Sequence, residues 1–179
     1  IENFIELAKL QNIPEDKVRQ NSQKLLKNYE RSFIENFPPN PYRHILPGVK
    51  QILKHLSETN HLVVLYTGDS ANIANEVLTA TNLGKYFKFS VYGTEVKTRA
   101  DMVELAIEKA EKLTGKRFKD KDIVIIGDSF RDIDCGKQFQ ALTIAVATGF
   151  HSEEELSKRK PDYVFKSLRD YRKVLEAIG

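Results

Sequence analysis

Along the first 37 positions, apolar residues recur at three- and four-residue steps. Val18, Leu25, Leu26, Tyr29, Phe33 and Phe37 form this series, the stripe of an amphipathic helix. Pro14 falls at a helix start, where its missing N–H does no harm. Pro38, Pro39 and Pro41 then stop the helix. Residues 1–46 read as a small helical unit ending in a Pro-rich linker. From Pro47 onward the pattern alternates. Helices are predicted over Val49 to Glu58, Ser70 to Thr81, Ala100 to Leu113, Arg131 to Phe139, Ser152 to Ser157 and Leu168 to Ile178. Strands are predicted at His61 to Tyr66, Phe89 to Tyr92, Asp122 to Ile126, Leu142 to Ala147 and Tyr163 to Phe165. Apolar strands separated by helices specify an α/β fold, a doubly wound parallel sheet covered on both faces, over residues 47–179.

Composition narrows the class. At 179 residues, 41% of them hydrophobic, the chain can bury a core. Charged residues make up 30%, and no apolar run approaches the ~20 residues that span a bilayer. Glu2, Glu6 and Lys9 within the first ten positions argue against a signal peptide. The net charge of +3 is mild, with Lys and Glu interspersed. The densest basic run, Lys158-Arg159-Lys160, reads as a solvated helix end, so no nucleic-acid partner is expected. Cys135 is the single cysteine and cannot form an internal disulfide, which makes a reducing cytoplasmic setting the default. His44, His55, His61 and His151 lack metal-ligand spacing. The chain opens in a helical pattern without an initiating Met, which leads us to expect a fragment.

In parallel sheets ligands gather beyond the carboxyl ends of the strands. Three polar groups stand there. Asp128 follows the apolar run Ile123-Val124-Ile125-Ile126 and Gly127, and Asp132 lies four residues on, in the first helical turn. Two carboxylates converging beside a phosphate suit Mg²⁺, which keeps several waters and takes one or two carboxylates. The plainer roles are an N-cap for Asp128 and a dipole-favoured charge for Asp132. Asp134 is a weaker acidic candidate with a solvated or structural role. The second group is Thr67-Gly68-Asp69-Ser70. The Thr67 hydroxyl can donate to a phosphoryl oxygen, as can free N–H groups at the helix start, while Ser70 or Asp69 caps that helix. The third group is Lys97-Thr98-Arg99, where a fixed cation would hold phosphate. Spacing does not choose between Lys97 and Arg99.

In this order and on these elements, the three groups resemble the haloacid dehalogenase-like hydrolases, in particular the phosphoglycolate phosphatase-like branch. The likeness covers residues 47–179. Leu46-Pro47-Gly48-Val49 looks like the family's entry into its Rossmann-like core, and residues 1–46 look like the latter part of its helical cap. Thr67 falls at the second motif, Lys97 or Arg99 at the third, and Gly127-Asp128 with Asp132 at the fourth. Ala145-Val146-Ala147-Thr148-Gly149 and Pro161-Asp162-Tyr163-Val164 look like the closing part of the core. The resemblance implies a Mg²⁺-dependent phosphatase acting on a small phosphorylated metabolite through an aspartyl-phosphate. Asp128 and Asp132 would be its metal ligands. Thr67, Lys97 and Arg99 would be its catalytic and phosphate-binding side chains, with Gly68 alongside. The family's first motif, an Asp-x-Asp pair on the central strand, has no counterpart here, so no residue takes the nucleophile's role. In that fold the strand lies between those ending at Thr67 and Asp128, and its removal leaves unpaired backbone groups. The alternatives are a non-catalytic phosphate- or partner-binding domain of this type, and an unrelated flavodoxin-like or receiver-like domain.

Overall fold

The computed structural model describes residues 2–179. The expected helical unit appears as α1 (Glu2–Leu10), α2 (Glu15–Gln20) and α3 (Ser22–Glu35), and its first position, Ile1, lies outside the described residues. Ile5, Ala8 and Val18 form its small buried core with Phe4 and Leu25 against them. Pro14 is the N-cap of α2, in extended backbone. Tyr29 and Phe33 of α3 and Phe37 just beyond its end pack in series, Tyr29 to Phe33 at 6.4 Å and Phe33 to Phe37 at 5.6 Å between ring centroids. This is the direct consequence of their four-residue spacing.

The remaining elements follow in the expected alternation. They are α4 (Val49–Ser57), β1 (Val64–Thr67), α5 (Ala71–Thr81), β2 (Phe89–Tyr92), α6 (Arg99–Thr114), β3 (Val124–Gly127), α7 (Phe130–Gln138), β4 (Leu142–Val146), α8 (Glu153–Lys158), β5 (Tyr163–Phe165) and α9 (Tyr171–Ile178). Capping residues set the helix starts. Ser70, Thr98, Ser129 and Ser152 each accept from a backbone N–H of the first turn, which satisfies one of that turn's orphan donors.

All strand pairs are parallel, and they form two separate sheets, β1–β2 and β3–β4–β5. Helices cover both faces. Val103 of α6 and Cys135 of α7 pack on Ile125, while Ile144 and Val146 turn the other way, toward Ala177 of α9. Ile52 and Leu56 of α4 meet Val174 of α9. The strands are shorter than the apolar runs suggested: His61 to Val63 and Asp122 to Ile123 lead into them, and the Val63 and Ile123 carbonyls accept the first cross-strand bonds, from Lys88 and Leu142. The sheet-facing core thus places the carboxyl ends of β1 and β3, with Thr67 and Asp128, at one edge of the molecule.

Candidate active site

The site is organised around one buried carboxylate. Asp132 is 3% exposed. Its Oδ2 accepts from the Ser129 hydroxyl at 2.7 Å and the Ser129 N–H at 3.2 Å, while Ser129 caps α7 and receives the Asp132 N–H in return. This is the reciprocal capping box, here built from Ser and Asp. Its Oδ1 accepts from the Tyr66 phenol at 2.6 Å and from Arg99 Nε at 3.1 Å, with the second guanidinium nitrogen at 3.0 Å. The Arg99 guanidinium also lies 4.9 Å from the centre of the Tyr66 ring. A charge so buried is tolerable only when it is paired and every lone pair is met. Burial, and then the negative carboxylate beside it, push the Tyr66 phenol well above its ordinary pKa, so it stays a donor at neutral pH.

Asp128 is different. It is exposed, and no hydrogen bond or ion pair among the described residues engages its carboxylate. Glycines on either side let both carboxylates approach the backbone. A Cβ at Gly127 would overlap the Asp132 carboxylate, and one at Gly149 would overlap that of Asp128. The turn after β4 therefore walls one side of Asp128. Ser129, not Asp128, is the cap, which leaves Asp128 without the structural duty that a strand-to-helix turn often imposes.

At the end of β1, Thr67 is partly buried and its hydroxyl accepts the Asp69 N–H at 3.2 Å. Gly68 is exposed, and the Gly93 N–H ties the Thr67 and Asp69 carbonyls to the end of β2 at 2.8 and 3.2 Å. Ser70 caps α5. Burial raises the Asp69 carboxyl above the usual range, and the nearby Arg99 guanidinium counters part of that rise. Tyr29 of α3 is also raised, first by burial and then by the Asp69 charge, so the helical unit reaches over this end of the sheet. Asn72 of α5 donates to Glu30 of α3 at 3.1 Å and fixes that approach.

The structure thus joins Arg99 and Asp132 directly, with Asp69 and Gly68 near the same guanidinium. Lys97 is exposed at the helix entrance, beside the Asp101 carboxylate of the α6 capping box. Asp134 pairs with Arg159 at 3.0 Å on the surface, the structural role expected of it. Tyr66, Ser129 and Gly149 belong to the site, although motif reasoning passed over them. Ser129 could have been found from the Ser-x-x-Asp spacing of a capping box. Tyr66 carried only its position one residue before Thr67, and Gly149 its place in the turn that closes the core.

The donor at Asp128 fits one hydrated Mg²⁺: a free, exposed, hard oxygen ligand that leaves most of the ion's shell to water. Asp132 is already held by Tyr66, Arg99 and Ser129. Among the described residues no group of three or more His, Cys, Asp or Glu side chains is gathered to hold a metal by protein ligands alone.

Known proteins fit this geometry. The sequence model for haloacid dehalogenase-like hydrolases matches residues 1–146. The chain is 25% identical over 135 residues to a phosphoglycolate phosphatase of Vibrio parahaemolyticus, covering 74% of this chain and 57% of that protein. It is 26% identical over 123 residues to the pyrophosphatase PpaX of Listeria monocytogenes, covering 69% and 55%. The chain therefore spans little more than half the length of these relatives. Its fold is that of a β-phosphoglucomutase from Clostridium difficile, with a TM-score of 0.73 at 20% identity over 99% of this chain and 75% of that one. No helix among the described residues is long and apolar enough to cross a membrane. The chain belongs to the haloacid dehalogenase-like hydrolases.

Proposed function

We propose that these residues form the phosphate- and Mg²⁺-facing part of a cytoplasmic phosphatase that hydrolyses a small phosphate monoester. The observation that carries this reading is the free Asp128 carboxylate, set against Gly149 one turn from the saturated Asp132. Relatives named as a phosphoglycolate phosphatase and a pyrophosphatase support a phosphorylated metabolite as substrate. The residues divide as a core at 47–179 and a helical cap at 1–46, with α3 leaning on α5 beside Asp69.

Each side chain has a task. Asp128 would hold a hydrated Mg²⁺, which would supply charge neutralisation for a phosphoryl group when bound. The Thr67 hydroxyl and the exposed backbone at Gly68 donate to the remaining phosphoryl oxygens. Arg99 is the stronger candidate for the fixed cation, since Asp132 holds its Nε and one terminal nitrogen and the other terminal nitrogen is left near Gly68. Lys97, at the mouth, meets the substrate's outer charge. Asp132 acts as a positioning residue for Arg99. Catalysis by such a set is chiefly positioning and charge stabilisation. The attacking carboxylate, and the aspartyl-phosphate it forms, belong to a residue outside these 179.

A second reading, a non-catalytic phosphate-binding domain, is favoured by the engagement of every Asp132 lone pair within the protein. Calorimetric titration with inorganic phosphate, with and without Mg²⁺, tests what both share and then separates them. The first reading predicts phosphate binding that requires Mg²⁺ and is weakened about tenfold or more by Thr67→Val and by Asp128→Asn. Binding indifferent to Mg²⁺ and to Asp128→Asn supports the second, and no binding at all overturns both.

A further inference from the structure

The turn after β1 holds a carboxylate with no structural partner. Asp69 follows Thr67 and Gly68 directly. Its N–H donates to the Thr67 hydroxyl at 3.2 Å, and its carbonyl accepts the Gly93 N–H, shared with the Thr67 carbonyl. A Cβ at Gly93 would overlap the Gly68 backbone, so the turn is pressed against the end of β2 and Asp69 has a fixed place beside the phosphate donors. The carboxylate takes no part in this. Ser70 caps α5, and no hydrogen bond or ion pair among the described residues engages the Asp69 side chain. The residue is exposed, so a ligand can reach it. Its surroundings are uneven. Burial raises its carboxyl, and the Arg99 guanidinium counters part of the rise. That cation already pairs with Asp132 at 3.0 Å, and its free nitrogen lies near Gly68. On the other side stands α3. Its Tyr29 phenol is raised by burial and then by the Asp69 charge, and its Glu30 accepts from Asn72 of α5. The α3 side of the turn therefore carries two carboxylates and a phenol.

We propose that Asp69 selects the leaving group: it favours a monoester whose alcohol carries an ammonium group close to the ester oxygen, and it disfavours one whose alcohol ends in a carboxylate or a second phosphate. The proposal rests on Thr67, Gly68 and Arg99 holding the phosphate. With the non-bridging oxygens turned to those donors and to Asp128, the ester oxygen turns away from the strand ends and carries the leaving group past Asp69 toward α3. A bound phosphate draws on the same guanidinium that offsets Asp69. The Asp69 charge is then met best by a cation on the ligand itself. An ammonium donates to the carboxylate and cancels its charge. A carboxylate or phosphate in that place meets like charge in a partly desolvated turn, where repulsion is stronger than in water. Selection of this kind works by repelling the wrong ligand as well as by holding the right one.

The test is calorimetric titration of the 179-residue chain, with Mg²⁺ present, by three esters of matched length. Ethanolamine phosphate ends in an ammonium, ethylene glycol monophosphate in a hydroxyl and phosphoglycolate in a carboxylate. The ammonium ester should bind about tenfold or more tighter than the carboxylate ester, with the hydroxyl ester between them. Asp69→Asn should bring all three within about threefold of one another, and Asp69→Lys should reverse their order. Comparing variants cancels any attraction of the ligand carboxylate for Mg²⁺, which is common to them all. Asp128→Asn, by contrast, should weaken the three esters together. The proposal is overturned if the unmodified chain binds the carboxylate ester as tightly as the ammonium ester, or if Asp69→Asn leaves the order intact. It is equally overturned if Asp69→Asn abolishes the response to Mg²⁺, which would make Asp69 a metal ligand. Should a variant fail to fold, as read by circular dichroism, the order on the unmodified chain decides. Inorganic phosphate is titrated alongside. If it binds while the three esters do not differ, selection by Asp69 fails and the phosphate site stands. If it does not bind, the phosphate site fails and the selection with it.

Discussion

The tripeptide Gly-Asp-Ser occurs twice, at 68–70 after β1 and at 127–129 after β3. In both copies the serine caps the following helix. In the first, the third helical position is Ile73, a buried apolar residue, and Ser70 receives a single long bond of 3.5 Å from its N–H. In the second that position is Asp132, which returns the cap's bond and then gathers Tyr66 and Arg99. One residue, three positions past the cap, converts a helix start into the centre of a polar network. The central acids differ accordingly. Asp69 lies beside Arg99 with its carboxyl raised by burial, whereas Asp128 stands free against Gly149.

The comparison breaks hardest at Asp132. Asp132→Ala leaves the part-buried Arg99 guanidinium, the Tyr66 phenol and Ser129 without their acceptor, and we expect it to cost about 3–5 kcal/mol of unfolding free energy. Urea denaturation checks this, and the equivalent change at the first copy, Ile73→Ala, should fall within the ordinary range for losing a buried aliphatic side chain. Tyr66→Phe removes one donor to the same carboxylate and should cost about 1–3 kcal/mol by the same measurement. Ser129→Ala should cost about 1–2 kcal/mol and Ser70→Ala about 1 kcal/mol or less, because the second cap alone is reciprocal. Asp128→Asn should leave stability within about 0.5 kcal/mol while removing the response to Mg²⁺. A large loss of stability there would show that Asp128 has a structural partner.

Most of the architecture was legible in the chain because it rests on local rules. Apolar runs marked the strands, and Ser70 stood among the candidate caps of the helix after β1. The polar strand ends at Thr67 and Asp128 followed from the rule that ligands gather at carboxyl ends. What stayed hidden depends on residues far apart in sequence. Tyr66 meets Asp132 across 66 positions and Arg99 meets it across 33, and neither contact leaves a spacing to read. The choice between Lys97 and Arg99 belonged to that class. Arg99 joins Asp132 in the network, whereas Lys97 stands at the surface.

The account turns on which of the two Gly-Asp-Ser turns receives the metal, and a Mg²⁺ titration followed by amide chemical shifts addresses it directly. Saturable shifts at Gly127, Asp128 and Gly149, with Gly68 to Ser70 unmoved, are the predicted result. Shifts centred on Asp69, or none at either turn, would contradict the assignment of Asp128 as the metal-facing carboxylate.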